Sequence, residues 1–201
     1  MMKRYLVLII CLFALYGLGR AQDDLPPCSQ RPTQVTKPFV DGRLWCMERV
    51  IMDISLPEAA FTALAVAPDG TLYATRPYSG QIIALHDSDG DGLPDSPHVF
   101  AEGLRLPNAL AYHDGALYIS GGRFLYRLAL DGALEVLADD LPVPDGLFAG
   151  GVAVAANGDI YVGVGAPCDA CQPQRGQGAI LRLPAGADGW EVAATGLHFP
   201  A

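Results

Sequence analysis

Ala63-Leu64-Ala65-Val66-Ala67-Pro68-Asp69-Gly70-Thr71-Leu72-Tyr73 decides the fold, because the chain writes this pattern three times. The second copy is Ala109-Leu110-Ala111-Tyr112-His113-Asp114-Gly115-Ala116-Leu117-Tyr118. The third is Val152-Ala153-Val154-Ala155-Ala156-Asn157-Gly158-Asp159-Ile160-Tyr161. Each copy runs from an apolar strand through a glycine turn into a strand in which a large aliphatic residue precedes Tyr. Gly70 and Gly115 are 45 residues apart, and Gly115 and Gly158 are 43 apart. A tight hairpin needs positive φ at its turn, which Asn, Asp and Gly adopt at least cost.

Working outward, each copy is followed by two more strand-like runs. The third strands are expected at Gln81–His86, Phe124–Leu130 and Ala179–Leu183. The fourth are expected at His98–Ala101, Leu134–Leu137 and Trp190–Ala194. Four antiparallel strands per period of about 44 residues predict an all-β chain of β-propeller blades. The first strand of each blade is rich in Ala, Val and Gly, which suits a crowded centre where inner strands converge. The blades are expected at about 60–101, 105–141 and 147–195. Gly196-Leu197-His198-Phe199-Pro200 parallels Gly103-Leu104-Arg105-Leu106-Pro107, so a fourth blade is expected to begin at 196–201. Three blades cannot close a ring, which implies a piece of a larger propeller or a protein cut short.

The ends read differently. Lys3 and Arg4 precede the apolar run Tyr5–Leu18, and Gly19 and Ala21 place small residues at a peptidase site. The run is short for a membrane span. A secretory signal over 1–21 is therefore expected, with an uncleaved anchor as the alternative, followed by an extended segment over 22–45 and the propeller over 46–201. Export places the chain outside the cell or in the periplasm, with no membrane association once the signal is removed. Loss of residues 1–21 removes three cations and no acids, taking the net charge from −9 to −12. So acidic a protein repels nucleic acid and anionic lipid. The remaining 180 residues belong to a chain that is 51% hydrophobic and only 17% charged, enough to bury a core. Four cysteines remain: Cys28, Cys46, Cys168 and Cys171. An even number in an exported chain favours disulfides. Of the three possible pairings, Cys28–Cys46 and Cys168–Cys171 each close a local loop.

Two loops carry chemistry. Asp87-Ser88-Asp89-Gly90-Asp91-Gly92-Leu93-Pro94-Asp95 puts carboxylates at loop positions 1, 3, 5 and 9, glycine at 6 and the Leu93 carbonyl at 7. Such spacing wraps oxygen ligands around one Ca²⁺. Position 12 is His98, where an EF-hand has Glu, and no helical pattern flanks the loop. Cys168-Asp169-Ala170-Cys171 lies in a long connection from Gly165 to Gly178. Zinc would need two further ligands, and a redox CxxC usually caps a helix, so a disulfide that stiffens a loop at the propeller mouth is expected. The histidines fall in different repeats, with no Ser-His-Asp order. The Tyr73, Tyr118 and Tyr161 stripe reads as core.

Val152–Tyr161 followed by Gly163-Val164-Gly165-Ala166-Pro167-Cys168-Asp169-Ala170-Cys171 resembles the glucose/sorbosone dehydrogenase family. So do the Asp-Gly-Asp-Gly loop and the Ala74-Thr75-Arg76…Gly80-Gln81-Ile82 strand pair. The resemblance covers roughly residues 50–200, about the first half of a six-bladed propeller. It implies sugar or alcohol oxidation with pyrroloquinoline quinone (PQQ) and Ca²⁺, a histidine taking the hydroxyl proton. The chain departs from this pattern at two positions. The family's histidine falls on Leu147, which accepts no proton, with Asp145 the nearest substitute base. The family's Arg-Asn pair falls on His198-Phe199; His198 could still meet a quinone carboxylate, and Phe199 could not ligate or hydrogen-bond. A non-catalytic propeller that binds carbohydrate or protein is the alternative these departures leave, and a calcium-dependent lactonase-like hydrolase is a third.

Overall fold

The computed structural model describes residues 27–31, 34–35, 46–49, 60–95 and 97–200. The expected signal over 1–21 lies outside them. Among the described residues no helix is long and apolar enough to cross a membrane. The chain divides into two units, one of residues 1–50 with 87–93 and one of 51–86 with 94–201.

In the first unit a 3-10 turn spans Cys28–Gln30, and Cys28 is disulfide-bonded to Cys46. An isolated antiparallel bridge pairs Gln34 with Glu48, and the Val35 N–H donates to Met47 O at 2.8 Å. Arg31 pairs with Glu48 at 2.5 Å.

The second unit is a β-propeller segment of three four-stranded antiparallel sheets, each in simple sequence order. The first blade contains β1 (Leu64–Val66), β2 (Leu72–Arg76), β3 (Gln81–Leu85) and β4 (His98–Ala101). The second contains β5 (Pro107–His113), β6 (Ala116–Gly121), β7 (Phe124–Ala129) and β8 (Leu134–Ala138). The third contains β9 (Ala149–Val154), β10 (Ile160–Val164), β11 (Ala179–Leu183) and β12 (Glu191–Thr195). Inner strands β1, β5 and β9 neighbour one another in succession.

Burial alternates along β1 and β11, where one face is covered, while β2, β3, β6 and β10 are buried at successive positions. Ile82, Leu117, Ile119 and Leu128 fill one core cluster, shared by the first two blades. Leu125, Val162, Val164 and Leu181 fill another, shared by the second and third. Tyr73 is buried against Phe100 with ring centroids 5.0 Å apart, whereas Tyr118 and Tyr161 are half-buried. Middle strands β2, β6 and β10 are buried at most positions. The second blade packs between the other two, and Ala74, Ile83 and Leu85 of the first pack with Phe61. Outer strands β8 and β12 are mostly exposed.

The repeated turns take two forms. In the second blade Asp114 and Gly115 both have positive φ, 44° and 75°, in a two-residue hairpin closed by the His113–Ala116 pair. In the first and third blades only Gly70 and Gly158 have positive φ, 87° in each case. There Asp69 and Asn157 act through their side chains. Asp69 Oδ1 accepts the Thr71 N–H at 3.0 Å, and Asn157 Oδ1 accepts the Asp159 N–H at 3.1 Å. Glycine thus supplies positive φ in all three turns, joined by Asp in the second blade alone. The other two have one more residue in the turn, which glycine takes and the side chain ties down.

The second residue after the repeat Tyr is a polar peg in the first two blades, tying strands within the first blade and crossing to the next blade from the second. Thr75, fully buried, accepts the Ala63 N–H at 2.9 Å and shares a hydrogen bond with Thr62 Oγ1 at 2.9 Å. Ser120, also fully buried, donates to Gly150 O at 2.5 Å, crossing from β6 to β9. The third blade has Gly163 in this slot, where a Cβ would run into the Pro200 carbonyl. Glycine here lets the segment after β12 lie against the inner sheet.

Candidate functional site

A cavity of about 310 Å³ opens where the inner strands meet. Its walls come from Thr62 and Ala63 before β1, from Asn108 on β5, and from Leu147 and Phe148 at the entrance to β9. Gly150, Gly165 and Phe199 are also among its walls. The loop entering β9 is set by the Leu147 N–H, which donates to Pro144 O at 3.1 Å, and by the Ala149 N–H, which donates to Gly122 O at 2.8 Å. Thr62 Oγ1 donates to Asn108 O at 3.0 Å, and Asn108 Nδ2 donates to Ala149 O at 3.4 Å. The cavity rim is thus laced blade to blade by side chains of the wall itself. Asn108 Oδ1 has no partner among the described residues.

The lining is neutral. It offers one amide, one hydroxyl, backbone carbonyls and two aromatic rings, Phe148 and Phe199, which are 50% and 64% exposed. No ionisable side chain is among the described residues that line it. Two positions singled out by family resemblance, Leu147 and Phe199, come together on this cavity although they are 52 residues apart. Asp145 does not join them. It lies exposed in the turn before Leu147.

His198 sits at the rim, packed edge-on to Phe199 with ring centroids 4.4 Å apart. Its Nε2 meets Asp169 Oδ1 at 2.6 Å. Asp169 belongs to the loop closed by the Cys168–Cys171 disulfide, so both expected pairings are formed. The same loop is held at its two ends: the Ala166 N–H donates to His198 O at 2.8 Å, and the Leu197 N–H donates to Gly178 O at 2.9 Å. The His198–Asp169 contact had no sequence signal, because the two residues are 29 apart and neither lies in a recognisable pair motif.

The acidic loop of the first blade is organised by its own carboxylates. Asp87 accepts the Gly90 N–H through Oδ1 and the Gly92 N–H through Oδ2, both at 2.8 Å. Asp89 Oδ1 accepts the Asp91 N–H at 3.1 Å, and Asp91 Oδ1 accepts the Leu93 N–H at 2.8 Å. Gly90 and Gly92 have φ of 79° and 86°. Asp95, in the other unit, gives its N–H to His86 O at 3.0 Å.

Away from the cavity, one carboxylate is held strongly ionised. Asp159 is buried at 4% exposure and accepts the Ala185 N–H at 3.0 Å, Arg182 Nε at 2.8 Å and Asn157 Nδ2 at 2.9 Å. These donors, the Ala185 amide foremost, hold its pKa below the ordinary carboxylate range. Arg182, which also pairs with Glu191 at 2.6 Å, is pushed up in turn, chiefly by its hydrogen bond to Asp159. The complete engagement of Asp159 marks a structural role.

No curated protein sequence matches the chain. A domain of unknown function, DUF7133, matches residues 40–133. Among solved structures, a streptogramin B lyase is 19% identical, with a TM-score of 0.52 over 72% of this chain and 44% of that one. A gluconolactonase from Xanthomonas campestris is 19% identical, with a TM-score of 0.50 over 67% of this chain and 47% of that one. A chain of a nidogen/laminin complex is 18% identical, with a TM-score of 0.53 over 72% of this chain and 52% of that one. The chain spans about half the length of these structures. At such identities they establish the fold that they share with it, and the protein is a β-propeller.

Proposed function

We propose that this chain is part of an exported carbohydrate-handling propeller whose inner-strand cavity binds a small neutral sugar or sugar lactone. One observation carries the reading. Two exposed aromatic rings, Phe148 and Phe199, and the Asn108 amide surround a single uncharged cavity. Aromatic faces take the apolar C–H face of a sugar, while an amide and backbone carbonyls meet its hydroxyls. The cavity volume falls at the lower end of the range usual for small-molecule sites, about 300–1,000 Å³. The resemblance to glucose/sorbosone dehydrogenases points to the same ligand class, as does the fold shared with a gluconolactonase.

Oxidation through PQQ does not follow from this lining. The quinone is a polycarboxylate, and its chemistry needs a proton acceptor beside the substrate hydroxyl. The described lining supplies neither a cation nor a base, and Leu147 stands where the family keeps its histidine. The Ca²⁺ proposal rests separately on the spacing of Asp87, Asp89, Asp91, the Leu93 carbonyl and Asp95. It predicts that Ca²⁺ raises Tm in chelator-treated protein and that Asp89→Ala abolishes the rise. An unchanged Tm overturns it.

Ligand-observed NMR with D-glucose and D-glucono-1,5-lactone tests the cavity reading. Binding is expected with the natural chain and lost in Leu147→Trp, which fills the cavity. Equal binding by both proteins places the ligand elsewhere and overturns the proposal.

A further inference from the structure

We infer that His198 and Asp169 form a polar dyad that recognises a ligand hydroxyl at the rim of the cavity, and that the Cys168–Cys171 disulfide positions it. The inference rests on the sugar-binding reading above and adds a specificity-determining residue outside the cavity lining.

Three observations converge. His198 Nε2 meets Asp169 Oδ1 at 2.6 Å. A histidine that donates from Nε2 to a carboxylate keeps, when neutral, Nδ1 as a hydrogen-bond acceptor. The carboxylate fixes both the tautomer and the ring orientation. Second, the imidazole is 49% exposed and packs edge-on against Phe199, a wall residue of the cavity, with centroids 4.4 Å apart. A sugar stacked on the Phe199 face would carry its peripheral hydroxyls to the neighbouring ring. Third, Asp169 is one of the two residues enclosed by the disulfide. At 88% exposure it has little packing to hold it, so the covalent loop supplies the constraint. The hydrogen bonds from Ala166 to His198 and from Leu197 to Gly178 keep the two segments in register. The cavity wall offers the Asn108 amide oxygen and backbone carbonyls as acceptors, and the dyad adds an imidazole nitrogen beside them. His198 thereby discriminates ligands by a hydroxyl, and Asp169 is a positioning residue.

Isothermal titration with D-glucose and D-glucono-1,5-lactone, together with side-chain ¹⁵N NMR of His198, tests this. His198→Ala is expected to weaken binding ~10-fold, the effect of losing one hydrogen bond to a polar ligand. Asp169→Ala should weaken it several-fold, and Asp169→Asn, whose amide oxygen still accepts from Nε2–H, should restore most of the loss. Cys168→Ala/Cys171→Ala should behave as Asp169→Ala does. The His198→Ala/Asp169→Ala double variant should bind no more weakly than His198→Ala. The ¹⁵N shifts should show the Nε2–H tautomer for neutral His198, and a mixture of tautomers in Asp169→Ala. Tight binding by the natural chain that His198→Ala leaves unchanged overturns the dyad while the cavity reading stands. A natural chain that binds neither probe overturns both. Mixed tautomers in the natural chain overturn the dyad whatever the ligand result.

Discussion

The first and third blades fill one structural slot in opposite ways. Thr71 follows the turn glycine in the first blade, and Asp159 follows it in the third. Both are buried, at 6% and 4% exposure, and both N–H groups are held by the side chain two residues earlier. Thr71 Oγ1 meets His86 Nδ1 at 3.1 Å, a contact between groups that need carry no charge. Asp159 instead takes Arg182 at 2.6 Å and two further donors. The second blade has Ala116 there, fully buried with nothing to satisfy. The propeller backbone therefore does not require a polar residue in the slot. It accepts any small side chain whose hydrogen bonds close locally, and a charge only where the third strand supplies Arg.

The blades also differ in where they lengthen. The first blade extends its β3–β4 connection into the acidic loop, and its β2–β3 turn is only the four residues Pro77–Gly80. The third extends the equivalent of that short turn, between β10 and β11, into the disulfide loop. The latter insertion reaches the cavity rim, where its Asp169 meets His198. A common frame thus carries its distinguishing chemistry on whichever connection is lengthened.

Exchanging residues between blades sharpens this contrast. The largest loss is expected from Gly163→Thr, which gives the third blade the peg residue of the first. The added side chain collides with the Pro200 carbonyl, and thermal unfolding should report a cost of about 3 kcal/mol. The reciprocal Thr75→Gly should be milder, at about 2 kcal/mol, because it leaves the Ala63 N–H short of its acceptor without a clash. A reversed ranking would show that the segment after β12 does not press on Gly163.

Asp159→Asn should lower Tm at neutral pH by more than Thr71→Ala does, since it breaks an ion pair as well as hydrogen bonds. The pH dependence separates the two blades. The folded pKa of Asp159 is depressed, so its contribution is complete above the unfolded carboxylate value, about 3.9, and disappears as pH falls through the lower folded value. The Tm gap between the natural chain and Asp159→Asn should therefore close in strong acid. A gap that stays constant from neutrality to acid would remove the ionised form of Asp159 from the account.

Smaller still is Ser120→Ala, at about 1 kcal/mol, since it removes one bond between blades and leaves Gly150 O at a cavity edge that water can reach. The least effect on Tm is expected from Asp131→Ala in the second-blade turn. It removes only the exposed bond to the Ala133 N–H, about 0.5 kcal/mol.

Much of the frame was legible because it repeats. Three Gly-centred turns at near-equal spacing fixed the hairpins, and the aliphatic-Tyr steps fixed the middle strands. The Leu72–Arg76, Ala116–Gly121 and Ile160–Val164 strands begin at or next to the residue after each turn. The disulfide pairs were legible from loop closure alone. The cavity was not. Thr62, Asn108, Leu147 and Phe199 lie in four different segments, and their meeting depends on blades packing side by side. Nor was the Asp159–Arg182 pair legible, because it needs the register that sets Tyr161 opposite Arg182.

The sequence by itself determined the all-β repeat, the turn chemistry and the local disulfides, since each depends on residues close along the chain. Only the tertiary structure decided that a neutral aromatic cavity forms, that Leu147 and Phe199 share it, and that His198 is held by Asp169. Those facts arise from contacts between segments 29 to 137 residues apart, as His198 from Asp169 and Phe199 from Thr62. No local periodicity encodes such distances, because they are set by the angle at which one blade packs on the next.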